Sequence, residues 1–74
     1  MTMRLWEYLE SELPTKDSYL EIETDMGRFV VEPVYWDGYD FVICFVVYHG
    51  SYATNSKEEP DIWFWEEIEN HIFG

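Results

Sequence analysis

The stretch from Tyr19 to His49 constrains the fold most. Residues 19–25, 28–36 and 39–49 are rich in Val, Ile, Phe, Tyr and Trp, and two glycine-containing turns part them. β-branched and aromatic side chains suit the pleated, half-buried surface of a sheet. Asp37-Gly38 is a strong hairpin signal, because a type I′ turn needs positive φ at both central positions. Met26-Gly27 is a weaker one. A two-residue turn there sets Asp25 opposite Arg28, Thr24 opposite Phe29 and Ile22 opposite Val31. A three-residue turn would put Phe29 and Val31 on the face of Glu21 and Glu23. A one-residue slip flips every side chain, so the cleaner segregation selects the two-residue turn.

Three antiparallel strands in this register have two distinct faces. One holds Leu20, Ile22, Phe29, Val31, Tyr35, Val42, Cys44, Val46 and Tyr48, with Asp40 as its only charge. This is the expected core face. The other holds Glu21, Glu23 and Glu32 beside Val30, Val34 and Trp36, and the third strand adds Tyr39, Phe41, Ile43, Phe45 and Val47. Half of that face is acidic and half apolar. Its ridge of Trp36, Phe41, Ile43 and Phe45 needs a cover, which a helix, a second copy or a partner could supply.

Helices are expected at both ends. Leu5, Trp6, Leu9 and Leu13 form one stripe at helical spacing over residues 3–13, with Glu7 and Glu10 opposite. Thr2 suits an N-cap, and Pro14 favours a stop at Leu13. Thr15 to Ser18 is a polar loop. Residues 50–59 read as a second loop, with room for a short fourth strand near Tyr52. Pro60 can occupy the first position of the second helix, followed by Asp61 where the dipole favours an anion. Ser56 and Glu59 have capping-box spacing, but Pro60 disfavours a helical Glu59. Ile62, Trp65, Ile68 and Ile72 form the inner stripe with Phe64 beside it, and Trp63, Glu66, Glu67 and Asn70 lie on the other side. The expected fold is α+β in the order α-β-β-β-α. It is a three-stranded antiparallel sheet, or four-stranded if the Tyr52 segment pairs, flanked by the two helices. Residues 1–74 are expected to form one small acidic domain.

A chain this short buries only about 60% of its unfolded surface. Its 15 Phe, Trp and Tyr residues supply the apolar area that a disordered acidic tail would lack. Cys44 is the only cysteine, so no intrachain disulfide can form, and a reducing cytoplasm is the expected compartment. Met1-Thr2-Met3-Arg4 does not lead into the apolar stretch of a signal peptide. The longest apolar run, Phe41 to Tyr48, falls far short of the ~20 residues of a membrane helix.

No motif identifies a reaction. His49 and His71 stand singly, outside any zinc spacing. Glu21, Glu23 and Glu32 read as a solvated strand face rather than a hard-cation site. No serine or cysteine nucleophile is placed beside a base, and Cys44 reads as a buried inert thiol. A non-enzymatic protein without metal or cofactor is expected.

The charge is the more informative feature. Sixteen Asp and Glu against four Lys and Arg give a formal net charge of −12. Phosphate repels such a chain, which disfavours direct binding of nucleic acid or an anionic membrane. Ordinary surfaces mix both signs, because a one-sign field repels itself and lowers stability. A negative field attracts basic surfaces, and those belong mostly to proteins that hold nucleic acid. Trp63 beside Glu66, Glu67 and Asn70 has the makings of an interface anchor able to stack on Arg. The acidic half of the sheet, Glu21, Glu23 and Glu32, is the second expected contact surface.

No motif ties the chain to one family. In size and charge it resembles the small acidic inhibitors of bacteriophages and mobile elements, the anti-CRISPR proteins and anti-restriction DNA mimics, and the immunity proteins of nuclease toxins. That resemblance carries over no functional residue. It implies an acidic inhibitor that blocks the basic groove of a nucleic-acid-handling protein, such as a nuclease, by mimicking nucleic acid. The alternative is a self-associating structural or assembly protein, a homodimer through Trp36, Phe41, Ile43 and Phe45.

Overall fold

The computed structural model describes residues 2–36, 38, 41–57 and 61–74. The expectations placed on Asp37, Tyr39, Asp40, Glu58, Glu59 and Pro60 lie outside the described residues. The elements run α1 Met3–Glu12, β1 Leu20–Thr24, β2 Gly27–Tyr35, β3 Val42–His49, β4 Tyr52–Asn55 and α2 Ile62–Phe73. The fold is α+β. The fourth strand is present, and the sheet is antiparallel in the order β1-β2-β3-β4.

Local chemistry sets the helix ends. Thr2 has extended backbone, and its Oγ1 accepts from the Leu5 N–H at 3.2 Å, satisfying one of the donors a helix start leaves free. The Leu13 N–H closes the other end on the Leu9 carbonyl, and Pro14 follows. Asp61 is the N-cap of the second helix, and its carboxylate accepts from the Phe64 N–H. The Asp61 N–H in turn donates to Oγ1 of buried Thr54 at 3.0 Å, which ties the start of α2 to β4.

One core holds the layers together. Leu5, Leu9 and Leu13 of α1 and its C-cap, with Phe64, Trp65 and Ile68 of α2, pack on Ile22, Phe29, Val31, Phe45 and Val47 of the sheet. Both helices therefore cover the same sheet face. Fully burying each such side chain contributes roughly 1.5–3 kcal/mol relative to leaving it exposed. Ile62, expected on the inner stripe, is instead exposed. The helix turns Phe64 and Trp65 inward, and Ile62 lies about 160° round the helix from Phe64 and about 60° from Trp65, on the far flank of the buried stripe. The Trp65 Nε1 is buried with no hydrogen-bond partner among the described residues.

The β1–β2 turn is centred on Asp25-Met26, not Met26-Gly27. Thr24 pairs with Gly27 and Ile22 with Phe29. The Met26 N–H donates to Thr24 Oγ1 at 3.0 Å and fixes this turn. The register differs from expectation by two residues, so every side chain keeps its expected face. Gly27 has φ +110°, and a Cβ there would stand 3.2 Å from the His49 ring. The positive φ favours glycine, and a side chain there would also have to push the His49 ring aside by a few tenths of an ångström.

On β3 the expected faces are reversed beyond one point. A two-residue turn at Asp37-Gly38 would set Cys44 opposite Val31. Val47 stands there instead. The Trp36 N–H donates to the Phe41 carbonyl at 3.3 Å, which makes the connection longer by two residues and leaves the faces alone. A bulge then adds one more: Val34 pairs with Cys44, but Tyr35 pairs with Val42, so Ile43 is the extra residue. Val42 keeps its expected place against the core. Beyond Ile43 the parity flips. Phe45 and Val47 are fully buried, whereas Cys44, Val46 and Tyr48 turn to the face without helices.

Candidate interaction surface

Trp63, Glu66, Glu67 and Asn70 recur at three- and four-residue spacing on α2, so they share its outer face. Trp63 is 42% exposed and lies on Phe64, with ring centroids 5.2 Å apart. Glu66 and Asn70 are exposed and Glu67 is half-buried. Glu67, Asn70 and His71 line a shallow cleft of about 290 Å³ together with Glu23, Thr24 and Asp25. The acidic surface of α2 therefore continues onto the β1 edge, and Glu23 belongs to both.

Glu21 and Glu32 lie further across the helix-free face. Glu21 is opposite Val30, and Glu32 is opposite Val46. Arg28, which the sequence reading left out, sits among them: it faces Glu23 across the strands and reaches Glu21 at 3.5 Å. Both partners are about half exposed, so this pair contributes little to stability but neutralises part of the acidic strip. Beside it Val30, Val34, Cys44 and Val46 are half-buried and Tyr48 is exposed, with no helix above them.

The expected ridge of Trp36, Phe41, Ile43 and Phe45 is not one surface. Trp36 and Phe41 are exposed, joined by their backbone hydrogen bond. Ile43 is half-buried at the bulge. Phe45 is fully buried, because the odd register shift turns it under Trp6.

A feature the sequence reading missed lies at the start of α2. His49 pairs with Tyr52 across the Gly50-Ser51 turn. The His49 ring stacks on Phe29 at 4.4 Å, and its Nε2 donates to the Met26 carbonyl at 2.8 Å. Phe64 packs edge-on to Phe29, His49 and Tyr52, at 5.5, 5.5 and 5.2 Å. Trp63 approaches from the β2 side, 6.5 Å from Phe29, and Tyr52 from the β4 edge. Tyr52, Trp63 and Met26 are each about half exposed. Gly-Ser is itself a hairpin signal, and applied at Gly50-Ser51 it would have aligned Tyr52 with His49.

Among the described residues, no group of three or more His, Cys, Asp and Glu side chains is disposed to hold a metal ion. No described helix is long and apolar enough to cross a membrane. No family model matches the chain, and no curated protein or solved structure is significantly similar to it.

Proposed function

We propose that this chain is a non-enzymatic acidic inhibitor that occupies the phosphate-binding groove of a basic nucleic-acid-handling protein, such as a nuclease. The carboxylates of Glu66, Glu67, Glu23 and Glu21 stand in for phosphates, and Trp63 anchors the contact. The observation that carries the reading is the juxtaposition on one edge: half-exposed Trp63 beside acids that run from α2 across the cleft onto β1. The net charge of −12 supports it. So does the scarcity of internal neutralisation, since Arg28–Glu21 is the one ion pair among the described residues. A self-associating assembly protein is the second reading. It now rests on Val30, Val34 and Val46 of the uncovered sheet face instead of Phe45. Two copies that each carry −12 repel, which favours the first reading.

The test is capture from a host lysate at low and moderate salt, followed by competition. The captured protein should release bound nucleic acid when this chain is added, and association should slow steeply as salt rises. Trp63→Ala should mainly raise the dissociation rate. A partner that binds equally well with its nucleic-acid groove filled, at any salt, rules the mimicry out.

A further inference from the structure

We propose that Trp63, Phe64 and Tyr52 form a docking point selective for an arginine side chain of the basic partner, an inference that rests on the function proposed above. Phe64 is the buried floor, and Trp63 and Tyr52 reach it from two different elements. A cation over such rings is attracted by their negative faces. The anionic setting reinforces this. Glu66 and Glu67 lie one turn along α2 from Trp63, and Asp25 adjoins Met26 in the neighbouring turn. The chain's own arginines are engaged elsewhere: Arg4 sits 3.9 Å over Phe73 at the far end of α2, and Arg28 reaches Glu21. Guanidinium is planar and weakly hydrated, so it stacks on aromatic faces at lower desolvation cost than ammonium. The rings therefore add a preference for arginine over lysine to that of the carboxylates, whose pairing with guanidinium is bidentate, and the ring-dependent part marks the site.

Two peptides of equal length and charge provide the probe, one arginine-rich and one lysine-rich. Their affinities for the full chain are measured by calorimetry, and the Trp63 indole N–H is followed by NMR. The arginine peptide should bind about three- to fivefold tighter and shift the Trp63 signal. Trp63→Ala and Tyr52→Ala should each reduce that preference while leaving the lysine peptide nearly unaffected. Equal affinity of the two peptides for the wild-type chain overturns the arginine site and leaves the charge-driven inhibitor reading standing. An arginine preference that survives both substitutions also overturns it. Failure of the inhibitor reading shows separately, in a basic partner that keeps its nucleic acid.

Discussion

Trp6 stands edge-on to Phe45, with ring centroids 4.8 Å apart and planes at 73°. The contact seats α1 on a β3 residue that strand alternation alone assigns to the opposite face. Phe45 is fully buried there. Phe45→Ala should therefore cost about 3–5 kcal/mol in urea unfolding, the usual loss for a large aromatic deleted from a core. Phe45→Lys would bury an unpaired charge and should give an unfolded chain. A Phe45→Lys variant with wild-type stability would mean that α1 does not cover this position.

Strand identity, helix positions and the core of α1 were legible in the sequence because each rests on local chemistry. Thr2 and Pro14 punctuate one helix, and Leu5, Leu9 and Leu13 repeat on its inner side. The β1–β2 register differs from the sequence expectation by two residues without consequence, since an even slip keeps every face. The β2–β3 register differs by an odd number, and that one residue exchanges Phe45 and Val47 for Cys44 and Val46. Both alternating sets on β3 are apolar, so hydrophobicity along the strand cannot choose between them. The choice is made by tertiary packing of Trp6 and by the bulge. The outer face of α2 was legible because Trp63, Glu66, Glu67 and Asn70 lie on one element. Tyr52 and His49 were not, because they join that face only through strand pairing.

The bulge makes a prediction of its own. Ile43 is the residue without a counterpart on β2. Deleting it should restore a regular ladder with Phe45 and Val47 still inward. The cost should stay within the about 0.5–3 kcal/mol of an ordinary substitution. Deleting Val46 instead shifts Phe45 or Val47 to the other face and should abolish folding. Urea unfolding and amide spectra of the two deletion variants decide this. Equal tolerance of both would show that β3 has no fixed face.

Thr54 is a buried polar residue that connects two elements. Its Oγ1 accepts from the Asp61 N–H, and Asp61 caps α2 three residues before Phe64. Thr54→Val should leave that partly buried N–H without its acceptor, at about 1–3 kcal/mol. Amide exchange should accelerate first at the start of α2, around Trp63 and Phe64, before the sheet is affected. Uniform loss of protection across the sheet would mean that Thr54 acts through core packing alone.

The acidic surface should oppose folding while serving binding. The net charge of −12 meets one ion pair among the described residues, so self-repulsion exceeds local pairing. Added sodium chloride should then raise the urea midpoint of the free chain, the opposite of its effect on a fold held by salt bridges. Glu66→Lys with Glu67→Lys should act in the same direction. Both residues lie beyond the first turn of α2, where the macrodipole no longer penalises a lysine. Both reversals lower the net negative charge, and the one at Glu67 removes a repelling charge beside Glu23 and Asp25 on the neighbouring edge. The double variant should be slightly more stable than wild type, yet associate more slowly with a basic partner and with a flatter salt dependence. Stability and association rate moving in opposite directions distinguishes a field used for recognition from one that serves only to keep chains apart. If the double variant loses stability, the acids of α2 are structural, and if its association rate is unchanged, the contact lies on another face.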